Sequence, residues 1–173
     1  DDSKYNEWKS SVKLSGEVES AVSKNGATMN IRDDKSILVN GKAPEKDDYE
    51  VELNITDSTK KIALEVLLDK DIPTNQFSQK SGNFVLSYVE FQSNGKKLKI
   101  KDVKADYQQN GFPVKNVLGH NKKGWAVDGH QADKRTNRVA IFELDKPVSG
   151  KIKVILKFFS EHKFHNFACF RIQ

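Results

Sequence analysis

Apolar and polar residues alternate along most of this chain with the period of two that belongs to strands, and almost nowhere with the period of a helix. The clearest stretch is residues 49–55, where Tyr49, Val51, Leu53 and Ile55 fall on one face and Glu50, Glu52 and Asn54 on the other. That pattern predicts an antiparallel strand with one face buried and one in water. Residues 61–68 are more continuously apolar and predict a central strand, and residues 83–92 alternate with both faces partly apolar. Further strands are expected at 12–14, 18–22, 27–31, 36–39, 97–105, 137–144, 150–159 and 166–172, punctuated by Asn25-Gly26, Asn40-Gly41 and Asn94-Gly95 turns. Short strands at this spacing predict an all-β fold, an antiparallel two-sheet β-sandwich, as a single domain over residues 1–173.

Three irregular segments stand out: 69–82, 106–124 and the polar, basic 129–136. Long connections in a compact domain tend to carry function, because a rigid scaffold can present them together at one end. Aromatic residues inside them pose a choice. Trp125, Phe112 and Phe77 are each either a core plug or a platform on which a sugar ring stacks, whereas Trp8 reads as core or as terminal docking.

Catalytic constellations are thin. No Gly-x-Ser-x-Gly elbow is present. Glu65 and Glu143 lie inside strands among apolar neighbours and read as structural carboxylates rather than a glycosidase pair. His162 and His165 are three apart, which puts them on opposite faces of a strand; on a loop they would converge, with His120 and His130 as further imidazoles. No histidine spacing matches a recognised zinc signature, so surface or structural roles are the expectation. The chain is expected not to be an enzyme.

Charge sharpens the picture. Residues 1–93 carry 12 basic and 17 acidic side chains, a balance of −5; residues 94–173 carry 17 and 7, a balance of +10. Such a field attracts polyanions. Of the 29 basic residues only Arg32, Arg135, Arg138 and Arg171 are arginines, so forked phosphate contacts are few. There is no Gly-rich phosphate loop and no aromatic–basic stripe, and nucleic acid is not an expected partner. No run of 18 apolar residues exists, which excludes a membrane-spanning helix. Cys169 is the single cysteine, so no intramolecular disulfide forms, and its alternating strand predicts a buried thiol. The chain opens Asp1-Asp2-Ser3, with neither a Met nor a basic-then-apolar leader, and reads as a segment of a longer multidomain protein.

Several segments carry a family resemblance when taken in order: 61–67 (Lys-Ile-Ala-Leu-Glu-Val-Leu), Ile72-Pro73, 81–87 (Ser-Gly-Asn-Phe-Val-Leu-Ser), 105–114 (Ala-Asp-Tyr-Gln-Gln-Asn-Gly-Phe-Pro-Val), 124–129 (Gly-Trp-Ala-Val-Asp-Gly), 140–144 (Ala-Ile-Phe-Glu-Leu), then His165 and Phe170-Arg171-Ile172. From about residue 49 onward the chain resembles the β-sandwich region of planctomycete-type cytochrome c proteins and related secreted proteins of marine bacteria. That region is in turn similar to the discoidin-like, galactose-binding-like jelly rolls used as carbohydrate-binding modules. The resemblance implies a non-catalytic glycan-binding module, exported to the periplasm, cell surface or medium of a bacterium. Two motifs depart from the pattern. The loop before the tryptophan reads Leu118-Gly119-His120-Asn121-Lys122-Lys123-Gly124, without the Asp and Thr that often help to hold calcium, and its lysines repel a cation. Near the C-terminal end Ala168 and Cys169 stand where the family favours Gly and Arg.

The expected function is therefore recognition of an acidic or sulfated polysaccharide through Trp125, His130, Lys134, Arg135 and Arg138, with Phe112 and Lys122 from the adjoining loop. Trp125 would stack on a ring and the two arginines would fork sulfate or carboxylate oxygens. No cofactor is required by this reading; a structural calcium, if any, would sit at Asp69, Asp71 and Asn83. The alternative is a structural domain that packs on a cytochrome or a neighbouring module of its parent chain, with an exposed apolar patch near 69–82.

Overall fold

The computed structural model describes residues 3–12, 16–119 and 123–173. Among them are one α-helix, α1 (Ser3–Ser11), three short 3-10 turns in the loops, and nine strands: β1 (Gly16–Ser23), β2 (Ala27–Ile31), β3 (Ile37–Gly41), β4 (Asp47–Val66), β5 (Tyr88–Ser93), β6 (Lys96–Lys97), β7 (Ile100–Ala105), β8 (Arg138–Phe158) and β9 (Cys169–Ile172). All pairings are antiparallel and all strands belong to one hydrogen-bonded set, in the order β2-β3-β9-β4-β8-β5-β6, with β1 joined to β4 and β7 to β8. The chain is all-β in class, as its alternation predicts.

The paired long strands β4 and β8 organise everything else. Alternation suggests two strands in each region, 49–55 with 61–68 and 137–144 with 150–159, yet each region is one strand with a register shift between Ile55 and Lys61. Before the shift β4 alternates between buried and exposed residues, lies between β1 and β8, and keeps one face in water. After it every residue from Ile62 to Val66 is buried. Both faces are covered there: Ile62, Leu64 and Val66 join the main core, while Ala63 and Leu67 join a second cluster with Tyr5, Val139, Ala168 and Cys169. That is the physical source of the continuous apolar run. Phe142, from the first half of β8, packs edge-on against Phe91 of β5 with ring centroids 5.2 Å apart, although β5 pairs only with the second half of β8.

Helix α1 covers the second cluster, with Tyr5 buried and Trp8 packed beside it at 5.8 Å. Helical periodicity does not announce it; long-range contacts hold it. The Tyr5 hydroxyl donates to Glu65 Oε1 at 2.6 Å and Lys9 Nζ lies 3.5 Å from the same atom. Two strand expectations are also revised. Of 83–92 only the part from Tyr88 is strand, because Val85 and Leu86 donate to the loop carbonyls of His165 and Trp125, and the 12–14 expectation falls mostly outside the described residues.

Candidate functional site

The segments 69–87, 106–137 and 159–168 meet, and Trp125 is at their centre. Its main chain bonds reciprocally with Leu86 (N to O 2.8 and 2.9 Å), and its indole Nε1 donates to the Tyr107 carbonyl at 3.0 Å. Phe84 stands edge-on to Trp125, Phe77 and Phe167, with centroids 4.9, 5.4 and 5.0 Å away. Trp125 has 0% exposure. Gly124 precedes it with φ +77°, and a Cβ there would sit 2.5 Å from the Leu86 carbonyl oxygen, so the backbone can approach only without a side chain. Of the two roles open to this tryptophan, the structure shows a core plug; a ring with no exposed face offers a sugar nothing to stack on.

Buried polar side chains lock the loops to one another. Asn83 Nδ2 donates to Gln109 Oε1 at 2.9 Å, and that oxygen also accepts the Asp128 N–H at 2.9 Å. Asn83 Oδ1 accepts the Val127 N–H at 3.3 Å. Gly82 and Gly129 touch: a Cβ on Gly129 would lie 2.6 Å from the Gly82 oxygen and 2.8 Å from Asn83 Cα. Gly129→Ala must push two backbones apart and should cost about 1–3 kcal/mol, as overpacking does elsewhere. Urea unfolding checks this; a midpoint equal to that of the parent protein would mean the two loops part freely.

Both arginines of the expected binding set belong to this internal framework. Arg135 Nε donates to the Gly129 carbonyl at 2.7 Å and Nη1 reaches the Thr74 carbonyl at 3.4 Å, tying the 129–136 loop to 69–82. The Arg138 side chain is 1% exposed; it lies 4.4 Å over the Tyr107 ring, donates from Nη2 to the Lys134 carbonyl at 2.8 Å, and has Nη1 3.9 Å from Asp106 Oδ2. Burial pushes the Asp106 carboxyl above its ordinary range. The Tyr107 hydroxyl donates to Asp128 Oδ2 at 2.6 Å, and Lys134 Nζ is 5.7 Å from the same ring. A buried guanidinium cannot fork a sulfate in solvent, so Arg138 drops out of the binding set, and Arg135 is committed to carbonyls.

His130 is exposed, Lys134 and Phe112 are half-buried, and Lys122 lies outside the described residues. Phe112 meets His162 with centroids 5.9 Å apart, and His162 meets His165 at 5.7 Å. These two histidines therefore lie on a loop and converge, which spacing alone leaves open. Burial holds the His165 imidazole below its ordinary pKa, and His162 and His130 add to the effect.

The side chains of the calcium expectation have partners within the chain. Asp69 is bound by Arg32 Nη2 at 2.6 Å, and Arg32 Nη1 also reaches Asp71 at 4.0 Å, so a cation already fills that corner. Asn83 is engaged with Gln109 and Val127. Among the described residues no three His, Cys, Asp or Glu side chains are grouped to hold a metal. Glu65 is fully buried in an ion pair with Arg171, Nε to Oε2 2.6 Å. Cys169 is buried, and burial pushes its thiol up to about 11. No helix among the described residues is long and apolar enough to cross a membrane. The Asn83–Gln109 lock carries no sequence signal, since an amide pair 26 residues apart has no spacing rule.

Compared with known proteins, the chain matches no family model, no curated protein and no solved structure.

Proposed function

We infer that the chain is a non-catalytic module that binds acidic polysaccharide through the loop end of a two-layer, jelly-roll-like β-sandwich, as an exported part of a longer bacterial protein. The sandwich reading is supported by Phe91 packing on Phe142, since Phe142 lies on the first half of β8 and Phe91 on β5, which pairs with the second half. The observation that carries the function is the rigidity of the loop end. Loops pinned by Asn83, Gln109 and Arg135 hold Phe112, His130 and Lys134 outward at fixed positions. Preorganised loops bind without the ordering cost of mobile ones. In this reading the half-exposed Phe112 ring, braced by His162, takes the C–H face of a sugar, and Lys134 with the basic field of residues 94–173 draws its acidic groups. The resemblance to discoidin-like modules points the same way. The alternative, a protein-contact domain, calls for an exposed apolar patch near 69–82, where Ile72 and Phe77 are buried; among the described residues the exposed large apolar ones are Val22 and Ile31 on β1 and β2.

Affinity electrophoresis against neutral, sulfated and uronate polysaccharides tests the proposal. Retardation by one acidic glycan that survives moderate salt, and that falls at least about tenfold in Phe112→Ala, is expected of a stacking contact worth about 1.4 kcal/mol or more. Equal retardation by every polyanion, lost in salt, would reduce the basic half to an unspecific field. No retardation at all would favour the protein-contact reading.

A further inference from the structure

The turn between β8 and β9 is built more firmly than a surface connection requires. Phe164 sits at φ 64°, a backbone region that a bulky side chain enters only when its surroundings hold it there. They do so from several sides. The Phe164 N–H donates to the Glu45 carbonyl at 2.9 Å, Lys163 pairs with the Glu45 carboxylate at 3.6 Å, and Asn166 Nδ2 donates to the Pro44 carbonyl at 3.0 Å. Lys80 Nζ stands 4.9 Å over the Phe164 ring, and the His165 carbonyl accepts the Val85 N–H at 3.0 Å. The left-handed kink between them turns His162 and His165 toward each other.

We propose that His162 and His165 form a binding site for a borderline transition-metal ion, of which Zn²⁺ is the test case. Two imidazoles on a tetrahedral zinc, with metal–nitrogen bonds of about 2.0–2.1 Å, have ring centroids about 5 Å apart; these stand 5.7 Å apart. His165 Nδ1 lies 2.7 Å from the Lys163 carbonyl oxygen. A carbonyl only accepts, so Nδ1 carries the proton and the neutral ring keeps its lone pair on Nε2. Metal-binding histidines are oriented by this same kind of outer bond. Phe112 against His162 restricts the second ring. Among the described residues His130 is the one remaining imidazole, and it acts on His165 electrostatically. Because no closed group of three exists among the described residues, the ion keeps water in its other positions. Imidazole nitrogen selects Zn²⁺, Cu²⁺ or Ni²⁺ over Ca²⁺ and Mg²⁺, which take oxygen. The site does not depend on glycan binding, though a bound ion would stiffen the turn that braces Phe112.

Zn²⁺ titration by calorimetry near pH 7.5, with long-range ¹H–¹⁵N spectra of the histidine rings in the unmodified chain, tests the site. One ion per chain is expected, with the Nε2 signal of His165 shifting on zinc and returning with a chelator. His162 is exposed, so His162→Ala should fold and weaken binding by about tenfold or more, the scale on which even outer-shell changes act. Zinc that leaves the two ring signals in place, that does not saturate, or that binds His162→Ala as well as the parent chain overturns the assignment.

Discussion

Glu65→Ala is expected to destabilise the fold by about 3–5 kcal/mol, the usual loss when one member of a buried ion pair is removed. The Glu65 carboxylate has no exposure and accepts from the Tyr5 hydroxyl at 2.6 Å, from Arg171 Nε and Nη2 at 2.6 and 3.0 Å, and from the Gln173 amide. Without it the Arg171 guanidinium, 11% exposed, keeps only the partly exposed Asp34 at 3.6 Å as a counter-charge. Tyr5 also loses its acceptor, so α1 loses its anchor on the sheet. Urea unfolding should show a lower midpoint at nearly unchanged slope. The double variant Glu65→Leu, Arg171→Met should recover part of the loss, because no buried charge is then left alone. A single-variant loss below about 1 kcal/mol would mean that water enters and solvates Arg171 in place of the carboxylate.

The same carboxylate sets an acid limit. Burial raises its pKa, but the hydrogen bonds from Arg171 and Tyr5 outweigh burial and hold it below the ordinary 4.5. Asp69 is lowered by its bond from Arg32, and Asp34 by its bond from Ser36. A carboxylate whose folded pKa lies below its unfolded one contributes stability that is complete above the unfolded pKa and is lost as pH falls through the folded one. Stability should therefore decline on acidification from about pH 4.5 downward, and the Glu65→Gln midpoint should fall less steeply over that range.

What could be read in the chain was whatever has local periodicity. The 49–55 alternation assigns Tyr49, Val51, Leu53 and Ile55 to the core, and all four are buried. The continuous run at 61–68 signals a central strand, and its residues 62–66 are strand and buried on both faces. The unity of β4 was not legible, because residues 56–60 are polar and all but Thr59 are exposed, and local pattern ends a strand there even though pairing with β8 carries the backbone through. Helix α1 was invisible for a related reason, since its hold is a hydroxyl and an ammonium on a carboxylate some 60 residues away. At the loop end, residue type indicated chemistry but not direction. An arginine forks an anion equally well in solvent and among carbonyls, and only the fold decides that Arg135 and Arg138 do the latter. The left-handed Phe164 that gathers the histidines is likewise a product of long-range contacts, with no glycine to announce it.

Trp125→Ala separates the two roles that an aromatic loop residue can have. As a plug with 0% exposure, packed edge-on to Phe84 at 4.9 Å, the indole should cost about 3–5 kcal/mol when truncated to a methyl group, since both its contacts and its volume are lost. Trp125→Phe keeps most of the packing but strips the Tyr107 carbonyl of its 3.0 Å donor, and should cost about 1–3 kcal/mol as an unsatisfied buried acceptor. Both losses would appear as a lower urea midpoint. Because the ring packs on Phe84, which also packs on Phe167, and bonds to Tyr107, it joins the 69–87, 106–137 and 159–168 segments, and the Ala variant should also loosen Phe112, so any glycan affinity would fall in step with stability. A surface platform behaves in the opposite way: affinity vanishes and the unfolding midpoint stays. Retention of full stability in Trp125→Ala would thus overturn the plug assignment and return the indole to the binding face.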